Sequence, residues 1–324
     1  LTTEKSSVDN ISLRTPLVYS EEEKNKYFLN IPVVSAAMQS VSGVKMGIEL
    51  ATLGGAAFIY SSQPIEQQAE MIEKIKSHKA GFVEPETVQP DMFLQDLFET
   101  TQKKRYSTFP VVDHKNKLLG IITRNDYDVS LHGHLKVHER MIPRKEMTVG
   151  VNVNDLKEAN SILMQSHHPV LPIVDENDRL MYLVFRKDIR NHLNHPYEVV
   201  DERKRLLSAA AINTHDYEER VPALVNAHVD VLAIDSSDGY SVFQQKTLQW
   251  VTTHFPDIPV IGGNIITGRG FEFLVENGAR AVKVGMGGGS ICITQEQKGT
   301  GRGLATAILE VSKARDKYLK KTGE

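Results

Sequence analysis

The chain has 324 residues, of which 40% are hydrophobic and 24% charged, and its formal net charge is −3. This composition is typical of a globular protein with more than one domain, and the interspersed charges leave no basic face for nucleic acid. No apolar run approaches the roughly 18 residues that span a bilayer, and no signal-peptide pattern opens the sequence, so we expect a cytoplasmic protein without a membrane partner. The single cysteine excludes an intrachain disulfide framework.

Two short apolar runs in the first part of the chain, 31–34 and 54–60, are predicted strands, and each ends in serine. A helix is predicted over 64–79, with proline in its first turn and apolar residues at three- and four-residue spacing. Strand and helix alternate, which predicts an α/β unit in which the helix covers a sheet.

An internal repeat follows, with a constant offset. The segment 109–113 (Phe-Pro-Val-Val-Asp) aligns with 171–175 (Leu-Pro-Ile-Val-Asp), and Asp126 aligns with Asp188; 171 less 109 and 188 less 126 are both 62. Each copy predicts a strand, a polar turn, a second strand and a helix that starts at the aspartate. One copy resembles a cystathionine-β-synthase (CBS) motif, and the tandem pair resembles a Bateman module.

The CBS resemblance implies a site for an adenine or guanine nucleotide. In that family a hydroxyl and a carboxylate contact the ribose, which corresponds to Thr123 and Asp126 in the first copy. The second copy has Phe185 in place of the hydroxyl residue, and only Asp188 matches. The alternative is a module that only folds and packs, because a strand pair with a capping aspartate needs no ligand.

The strand and helix alternation resumes after the repeat. Strands are predicted at 206–212, 229–234, 258–261 and 281–284, helices at 217–228 and 270–277, and a last helix at 303–320. This order predicts a parallel sheet with six strands in all, two fewer than the eight of a TIM barrel. We therefore expect three domains in sequence: 1–81 and 198–324 as parts of a (β/α)8 barrel, and 82–197 as an inserted α+β domain.

Polar residues follow several of these predicted strands. Asp235, Ser236 and Ser237 follow one strand, and Asn264 ends the next. A carboxylate directly after a buried strand needs partners, and a sugar diol would suit Asp235. The alternatives are that Asp235 caps the next helix and that Asp238 serves only a turn.

The glycine-rich run 285–294 holds the chain's single cysteine, Cys292. Glycines let the backbone turn sharply and approach a ligand closely, and the run follows a predicted strand, where α/β folds place their chemistry. We therefore expect Cys292 to be a nucleophile. The alternative is a small buried hydrophobic residue, which is the usual role of a free cysteine.

These motifs together resemble a known family. Ser35-Ala36-Ala37-Met38, Asp235-Ser236-Ser237, Gly262-Gly263-Asn264 and Gly285-x-Gly-x-Gly-Ser-Ile-Cys-Ile-Thr294, with a CBS pair after the second strand, resemble inosine-5′-monophosphate (IMP) dehydrogenases and their sister guanosine-monophosphate (GMP) reductases. Ile293 stands where the reductases usually have a second threonine, which favours the dehydrogenase. The alternatives are a GMP reductase and a catalytically inactive, nucleotide-sensing CBS protein.

The resemblance implies NAD-dependent oxidation of IMP to xanthosine monophosphate through a covalent cysteine intermediate, in guanine nucleotide biosynthesis. It also implies a homotetramer, or an octamer joined through the CBS modules. The residues it implies are Cys292 and Thr294 for catalysis; Ser35, Met38, Asn264 and Ser290 for IMP; Asp235, Ser236 and Ser237 for NAD; and the main-chain carbonyls of Gly287, Gly289 and Cys292 for a potassium ion.

The family's seventh and eighth strands, its second phosphate loop and its mobile flap with an Arg-Tyr pair have no counterpart up to residue 324. The resemblance therefore implies that this sequence is part of a longer protein. A protein without the flap should fail in the hydrolytic half of the reaction.

Overall fold

A computed structural model describes residues 11–19, 27–77, 82–83, 85–104, 107–154, 156–166, 168–186, 189, 195–201, 203 and 205–323. The chain divides into two compact units. We call Leu1–His78 with Tyr197–Glu324 the sheet unit, and Lys79–Pro196 the insert unit.

Helices and strands are numbered in chain order. Before the insert lie β1 (Thr15–Pro16), β2 (Phe28–Leu29), β3 (Val34–Ser35), α1 (Val44–Thr52), β4 (Ala56–Ile59) and α2 (Ile65–Lys76). The insert unit holds β5 (Phe82–Val83), α3 (Leu94–Lys104), β6 (Thr108–Val112), β7 (Leu118–Thr123), α4 (Val129–His132), β8 (Ile142–Pro143), β9 (Gly150–Val151), α5 (Leu156–Ser166), β10 (Val170–Val174) and β11 (Leu180–Phe185). After the insert lie β12 (Ala209–Ile212), α6 (Tyr217–Asn226), β13 (Val231–Ile234), α7 (Val242–His254), β14 (Val260–Ile265), α8 (Gly268–Glu276), β15 (Ala281–Val284), α9 (Thr294–Lys298) and α10 (Leu304–Thr322).

The sheet unit is built on parallel strands in the order β3-β4-β12-β13-β14-β15. All four residues of β4 and of β12 are buried, because helices cover one face and the unit's interior the other. The predicted α/β class is confirmed: within the described residues the sheet has six parallel strands, curled as part of a (β/α)8 barrel.

The two edges of this sheet differ from the sequence prediction. The strand predicted at 31–34 is reduced to Val34–Ser35, and Val33 and Val34 are 48% and 49% exposed. The run 281–284 forms β15 as predicted but is only partly buried. Both strands are edges that pair on one side only within the described part of the chain, so they lose the cover that central strands receive.

A short hairpin of β1 and β2, which the sequence analysis did not predict, closes the amino end of the sheet. Its residues Val18 and Tyr27 share one apolar cluster with Phe58, Ala209 and Val231 from three strands. The backbone N–H of Tyr19 donates to the carbonyl of Arg280, just before β15, at 3.0 Å. Apolar side chains therefore fill the amino end, which leaves the carboxyl ends of the strands for the site loops.

A buried charge cluster lies where α2 ends in the sheet unit. The Lys76 ammonium is 2.9 Å from a carboxylate oxygen of Asp201 and 2.5 Å from one of Asp230, and the three side chains are 3%, 8% and 9% exposed. Arg205 also binds Asp201, and the backbone N–H of Ser208 donates to Asp230. The cluster thus ties the end of α2 to the segment that leads into β12.

The insert unit contains the predicted repeat as two equivalent hairpins. Strands β6 and β7 pair antiparallel, as do β10 and β11, and the register shifts at equivalent positions in both. The two turns bind each other reciprocally: the N–H of Leu118 donates to the carbonyl of Asp178, and the N–H of Leu180 to that of Asn116. Asn116 and Asp178 have φ of 62° and 63°, a conformation that Asn and Asp tolerate better than most residues. The repeat is therefore a structural one with internal two-fold symmetry.

The described residues contain neither a membrane-spanning helix nor a cluster of metal ligands. No helix there is both long and apolar enough to cross a membrane. No group of three or more His, Cys, Asp or Glu side chains there is arranged to hold a metal ion.

Candidate active site

The cysteine loop, which we define as Gly285–Ile293, connects the edge strand β15 to the short helix α9. Cys292 is exposed, which excludes a buried hydrophobic role for it. Its backbone N–H donates to the carbonyl of Gly289 at 3.0 Å, and its sulfur lies 3.2 Å from the hydroxyl oxygen of Thr294. The thiol therefore faces solvent next to a hydroxyl group that can donate to it.

The contacts of Thr294 favour ionisation of the cysteine. The Thr294 hydroxyl and, to a smaller extent, its backbone N–H hydrogen-bond to the Cys292 sulfur, and both hold the pKa of the thiol below its ordinary value. A thiolate is the reactive form of cysteine, so this arrangement raises the fraction of Cys292 that can act as a nucleophile near neutral pH.

Replacement of Thr294 by valine should raise the pKa of Cys292, because it removes the hydroxyl donor while keeping the side-chain shape. The backbone N–H remains, so the shift should be partial. The measurement is the rate of alkylation by iodoacetamide as a function of pH, followed by mass spectrometry on Cys292. The T294S variant keeps a hydroxyl group and should follow the wild-type profile; coincident profiles for T294V and wild type would show that the hydroxyl is not the cause.

Asp235 lies directly after β13, which is separated from β15 by β14. Its backbone N–H donates to the carbonyl of Ile212, and its carboxylate is 3.2 Å from the ammonium of Lys283 on β15. The two side chains are 39% and 48% exposed, so the ion pair is weak and leaves the carboxylate accessible. Asp235 does not cap α7, because Ser241 does so by accepting from the N–H of Gln244. Asp238 accepts from the N–H of Tyr240, as expected for a turn residue.

Asn264 lies near the end of β14 and contacts the loop after β13. Its backbone N–H donates to the carbonyl of Ser236 at 2.9 Å, and its carbonyl accepts from the N–H of Gly239 at 2.7 Å. Its side-chain oxygen is buried and has no hydrogen-bond partner in the described part of the chain. Buried acceptors nearly always have a donor, so this atom is suited to a ligand or a water molecule.

A lysine of α9 connects the cysteine segment to the loop after β13. The ammonium of Lys298 donates to the hydroxyl of Ser237 at 2.6 Å. Together with the Asp235–Lys283 pair, this contact brings the predicted residues 235–237 next to β15 and to α9, the two elements that flank the cysteine loop.

The other predicted residues lie in two places, the segment at β3 and the cysteine loop itself. Ser35 is the last residue of β3 and Met38 follows that strand, at the opposite edge of the sheet from β15. The hydroxyl oxygen of Ser35 is 2.5 Å from that of Ser42, and Met38 is exposed. In the described part of the chain, the hydrogen bonds of this segment stay close to it and do not reach the cysteine loop. Ser290 and Gly289 are exposed in the loop itself.

The predicted nucleotide residues of the insert unit satisfy each other locally. The Asp126 carboxylate accepts from the N–H of Thr123 at 2.6 Å, and the Thr123 hydroxyl accepts from the N–H of Asn125 at 3.3 Å. These two bonds form a capping box at the turn after β7, which is the structural role that needs no ligand. Asp188, the counterpart in the second copy, lies outside the described residues.

Sequence reasoning missed three residues of this region: Lys283, Lys298 and Gln295. Lysine and glutamine at the surface are usually solvated, so nothing in their identity distinguishes them. Their spacing around Cys292 was the available signal, since all three lie within nine residues of it.

The fold and the site define a class of protein. It is a barrel-type α/β protein with an exposed cysteine of lowered pKa, in a glycine-rich loop that follows the carboxyl end of a sheet strand. The chain belongs to the IMP dehydrogenase / GMP reductase domain family, whose model matches residues 3–322. This membership confirms the family resemblance seen in the motifs.

Proteins of this family are also found among the individual relatives and solved structures that the chain resembles. The chain is 45% identical to an inosine-5′-monophosphate dehydrogenase of Tritrichomonas foetus over 322 residues, which is 97% of this chain and 64% of the relative. It is 38% identical to that of Escherichia coli K12 over 291 residues, or 88% and 59% of the two chains. A crystal structure of GMP reductase from Trypanosoma brucei with guanosine 5′-triphosphate matches with a TM-score of 0.76 and 28% identity over 98% of this chain and 76% of that one. The chain thus spans less than two thirds of these two curated relatives.

Proposed function

We propose that the protein carrying this chain oxidises IMP to xanthosine monophosphate with NAD⁺, through a covalent intermediate on Cys292. The observation that carries the proposal is the exposed Cys292 thiol with its lowered pKa, at the carboxyl edge of a sheet of this family. The 45% identity to an IMP dehydrogenase over 97% of the chain supports this assignment. It also makes the protein an NAD-dependent oxidoreductase of guanine nucleotide biosynthesis, with a cytoplasmic location as expected from the sequence.

The thiolate of Cys292 adds to C2 of the hypoxanthine ring and forms a carbon–sulfur bond. NAD⁺, when bound, supplies the acceptor for the hydride that leaves C2, which restores the double bond and gives a thioimidate on Cys292. Water then adds to C2, the carbon–sulfur bond breaks, and the thiol and xanthosine monophosphate are released. The Thr294 hydroxyl, 3.2 Å from the sulfur, stabilises the thiolate before attack and after release, and we propose that it also contacts the water.

The remaining site residues fit the two nucleotides in their chemistry. For IMP we propose Ser35, Met38, Asn264 and Ser290, of which Asn264 offers a buried acceptor that has no partner among the described residues. For the nicotinamide ribose we propose Asp235, Ser236 and Ser237, because an accessible carboxylate accepts hydrogen bonds from both hydroxyls of a diol.

The cysteine loop also fits a potassium ion in its donor set. Main-chain carbonyls are the ligands that such ions prefer, and we propose those of Gly287, Gly289 and Cys292. Gly287 has φ of +65°, a left-handed conformation that glycine adopts without strain, so its carbonyl can turn where a side-chain residue would resist. A bound ion would hold these carbonyls, and with them the loop, in one arrangement.

For the insert unit we propose a CBS pair that binds an adenine or guanine nucleotide. Its two-fold symmetric hairpins support this assignment, with Thr123 and Asp126 in the first copy and Asp188 in the second as ribose contacts. Binding would require the capping box to open or to share its oxygens. We also propose domain limits of 1–81, 82–197 and 198–324, and a homotetramer that the CBS pairs can join into an octamer.

GMP reductase is the second candidate, because the solved structures that resemble this chain include reductases of Trypanosoma brucei with TM-scores of 0.76 and 0.77. Their identities of 28% and 27% are well below the 45% of the dehydrogenase relative. The reductase reaction consumes GMP and NADPH, so substrate choice separates the two.

The decisive experiment is to incubate the purified whole protein with IMP and NAD⁺, measure NADH by absorbance, and map trapped adducts by mass spectrometry. We expect NADH formation and a purine nucleotide on the peptide that contains Cys292. A parallel incubation with GMP and NADPH should be inactive. Turnover only in the second mixture would assign the reductase, and no turnover or adduct in either would favour a nucleotide-sensing protein.

A further inference from the structure

We propose that Gln295 is a positioning residue that holds the cysteine loop in its reactive conformation. Its catalytic consequence rests on the proposed function, whereas its structural role does not. Its side chain hydrogen-bonds to the carbonyl of Met286, so it acts through the backbone on both sides of the thiol.

Gln295 links the beginning of the cysteine loop to the segment after α9. Its side-chain amide donates to the carbonyl of Met286 at 2.8 Å, and its own backbone carbonyl accepts from the N–H of Gly299 at 3.0 Å. Cys292 lies between Met286 and Gln295 in the chain. The side-chain bond therefore closes a ring of backbone that contains the thiol, and it limits how far the loop can open.

Two glycines make room for this side chain. A Cβ atom added to Gly301 would lie 2.7 Å from Cδ and 2.8 Å from Cγ of Gln295, and one added to Gly287 would lie 2.6 Å from Cγ. Contacts below 3.0 Å do not occur for real Cβ atoms, so the glutamine fills the space that both glycines leave free. Gln295 is thus packed between the cysteine loop and the segment that contains Gly301.

The two glycines differ in a way that provides a test. Gly287 has φ of +65°, so alanine there is strained whatever the neighbouring space. Gly301 has no such restriction, and the atoms closest to its added Cβ all belong to the outer part of the Gln295 side chain. Alanine at Gly301 should therefore act by displacing that side chain from Met286, and its effect should vanish once Gln295 is shortened.

The test is a double-mutant cycle of Q295A and G301A in the whole protein, with kcat and the KM for IMP as readouts. Displacement of a reacting group by about 1 Å costs about 100-fold in rate, so we expect each single variant to lower kcat by about 10- to 100-fold with a KM within about three-fold of wild type. In the Q295A background, G301A should cost nothing further. G287A should remain harmful in both backgrounds.

G303A is the matched control, because a Cβ there meets its nearest neighbour at an ordinary 3.8 Å, and it should behave as wild type. Additive effects of Q295A and G301A on kcat would overturn the proposal. Amide hydrogen exchange of 285–293 is measured on the same variants: it should accelerate equally in Q295A, G301A and the double variant. Exchange like that of wild type would also overturn it. Since exchange needs no turnover, an inactive wild-type protein would refute the proposed reaction without removing this test.

Discussion

Replacement of Cys292 by alanine is expected to lower kcat for IMP oxidation by about 10⁴-fold or more, the order seen when a covalent nucleophile is removed. The reason is that the proposed reaction has no route to C2 without the carbon–sulfur bond. Cys292 is exposed, so alanine there leaves no core cavity, and the fold should be retained. Steady-state NADH formation measures the loss, and circular dichroism with a thermal melt checks the fold.

C292S provides the matched comparison, because it keeps a side chain of similar shape with a far weaker nucleophile. Both variants should still bind IMP, since the proposed contacts of Ser35, Asn264 and Ser290 remain, and neither should show a nucleotide adduct in the mass spectrum. Turnover in C292A within about 10-fold of wild type would refute the covalent mechanism.

Replacement of Lys76 by methionine is expected to destabilise the protein by about 3–5 kcal/mol, the usual cost of removing one partner from a buried ion pair. Methionine fills similar volume but leaves the Asp201 and Asp230 carboxylates, 8% and 9% exposed, without their ammonium partner. Chemical denaturation of the whole protein measures the free energy of unfolding. The control is K74M on the same helix: Lys74 pairs with Glu70 at the surface, with exposures of 55% and 60%, so K74M should change the free energy of unfolding far less than K76M does.

The pH dependence of K76M provides a second check. Burial raises the pKa of Asp201, but the opposing charge and hydrogen bond of Lys76, together with Arg205, lower it overall; burial raises the pKa of Asp230. In wild type, Asp201 therefore contributes stability above the ordinary pKa of aspartate that is lost as the pH falls through its lowered pKa. In K76M the pKa of both carboxylates should rise, because the ammonium that favours their charged form is gone. Protonation at lower pH should therefore reduce the cost of burying them and stabilise the variant. We expect the difference in free energy of unfolding between wild type and K76M to become smaller from pH 8 to pH 5. A difference that becomes larger would contradict this account.

The sequence indicates where the candidate site residues lie better than it indicates the contacts among them. Cys292, Asp235 and Asn264 were proposed because each follows or ends an apolar strand, and parallel strands bring their carboxyl ends to one edge. Two contacts could not be predicted: the pairing of Lys283 with Asp235 and the packing of Gln295 between two glycines. Both depend on loop conformation, which leaves no periodic pattern in the sequence. Sequence reasoning also left open whether Asp235 caps the next helix, and the structure shows that Ser241, six residues later, is the cap.

The sequence predicted the strands that are central and buried, such as 209–212 and 231–234. It did not predict short strands that pair with a partner farther along the chain. The β1–β2 hairpin has two residues per strand, below the length at which alternation is visible. The repeat in the insert unit was found from its constant offset. The reciprocal hydrogen bonds between its two turns could not be predicted, because each joins residues of different copies that are far apart in the sequence.

The hairpin at the amino end of the sheet also bears on how the chain folds during synthesis. Tyr19 binds Arg280 through the backbone, and the Tyr27 hydroxyl reaches the carbonyl of Asp257, 230 residues away in sequence. At translation rates of roughly 5–20 residues per second, the hairpin must wait on the order of ten seconds or more for its partners to emerge. The insert unit, which is continuous from Lys79 to Pro196, needs no such wait. We therefore expect it to fold first on the ribosome, while the apolar side chains at the start of the chain remain uncovered and dependent on chaperones.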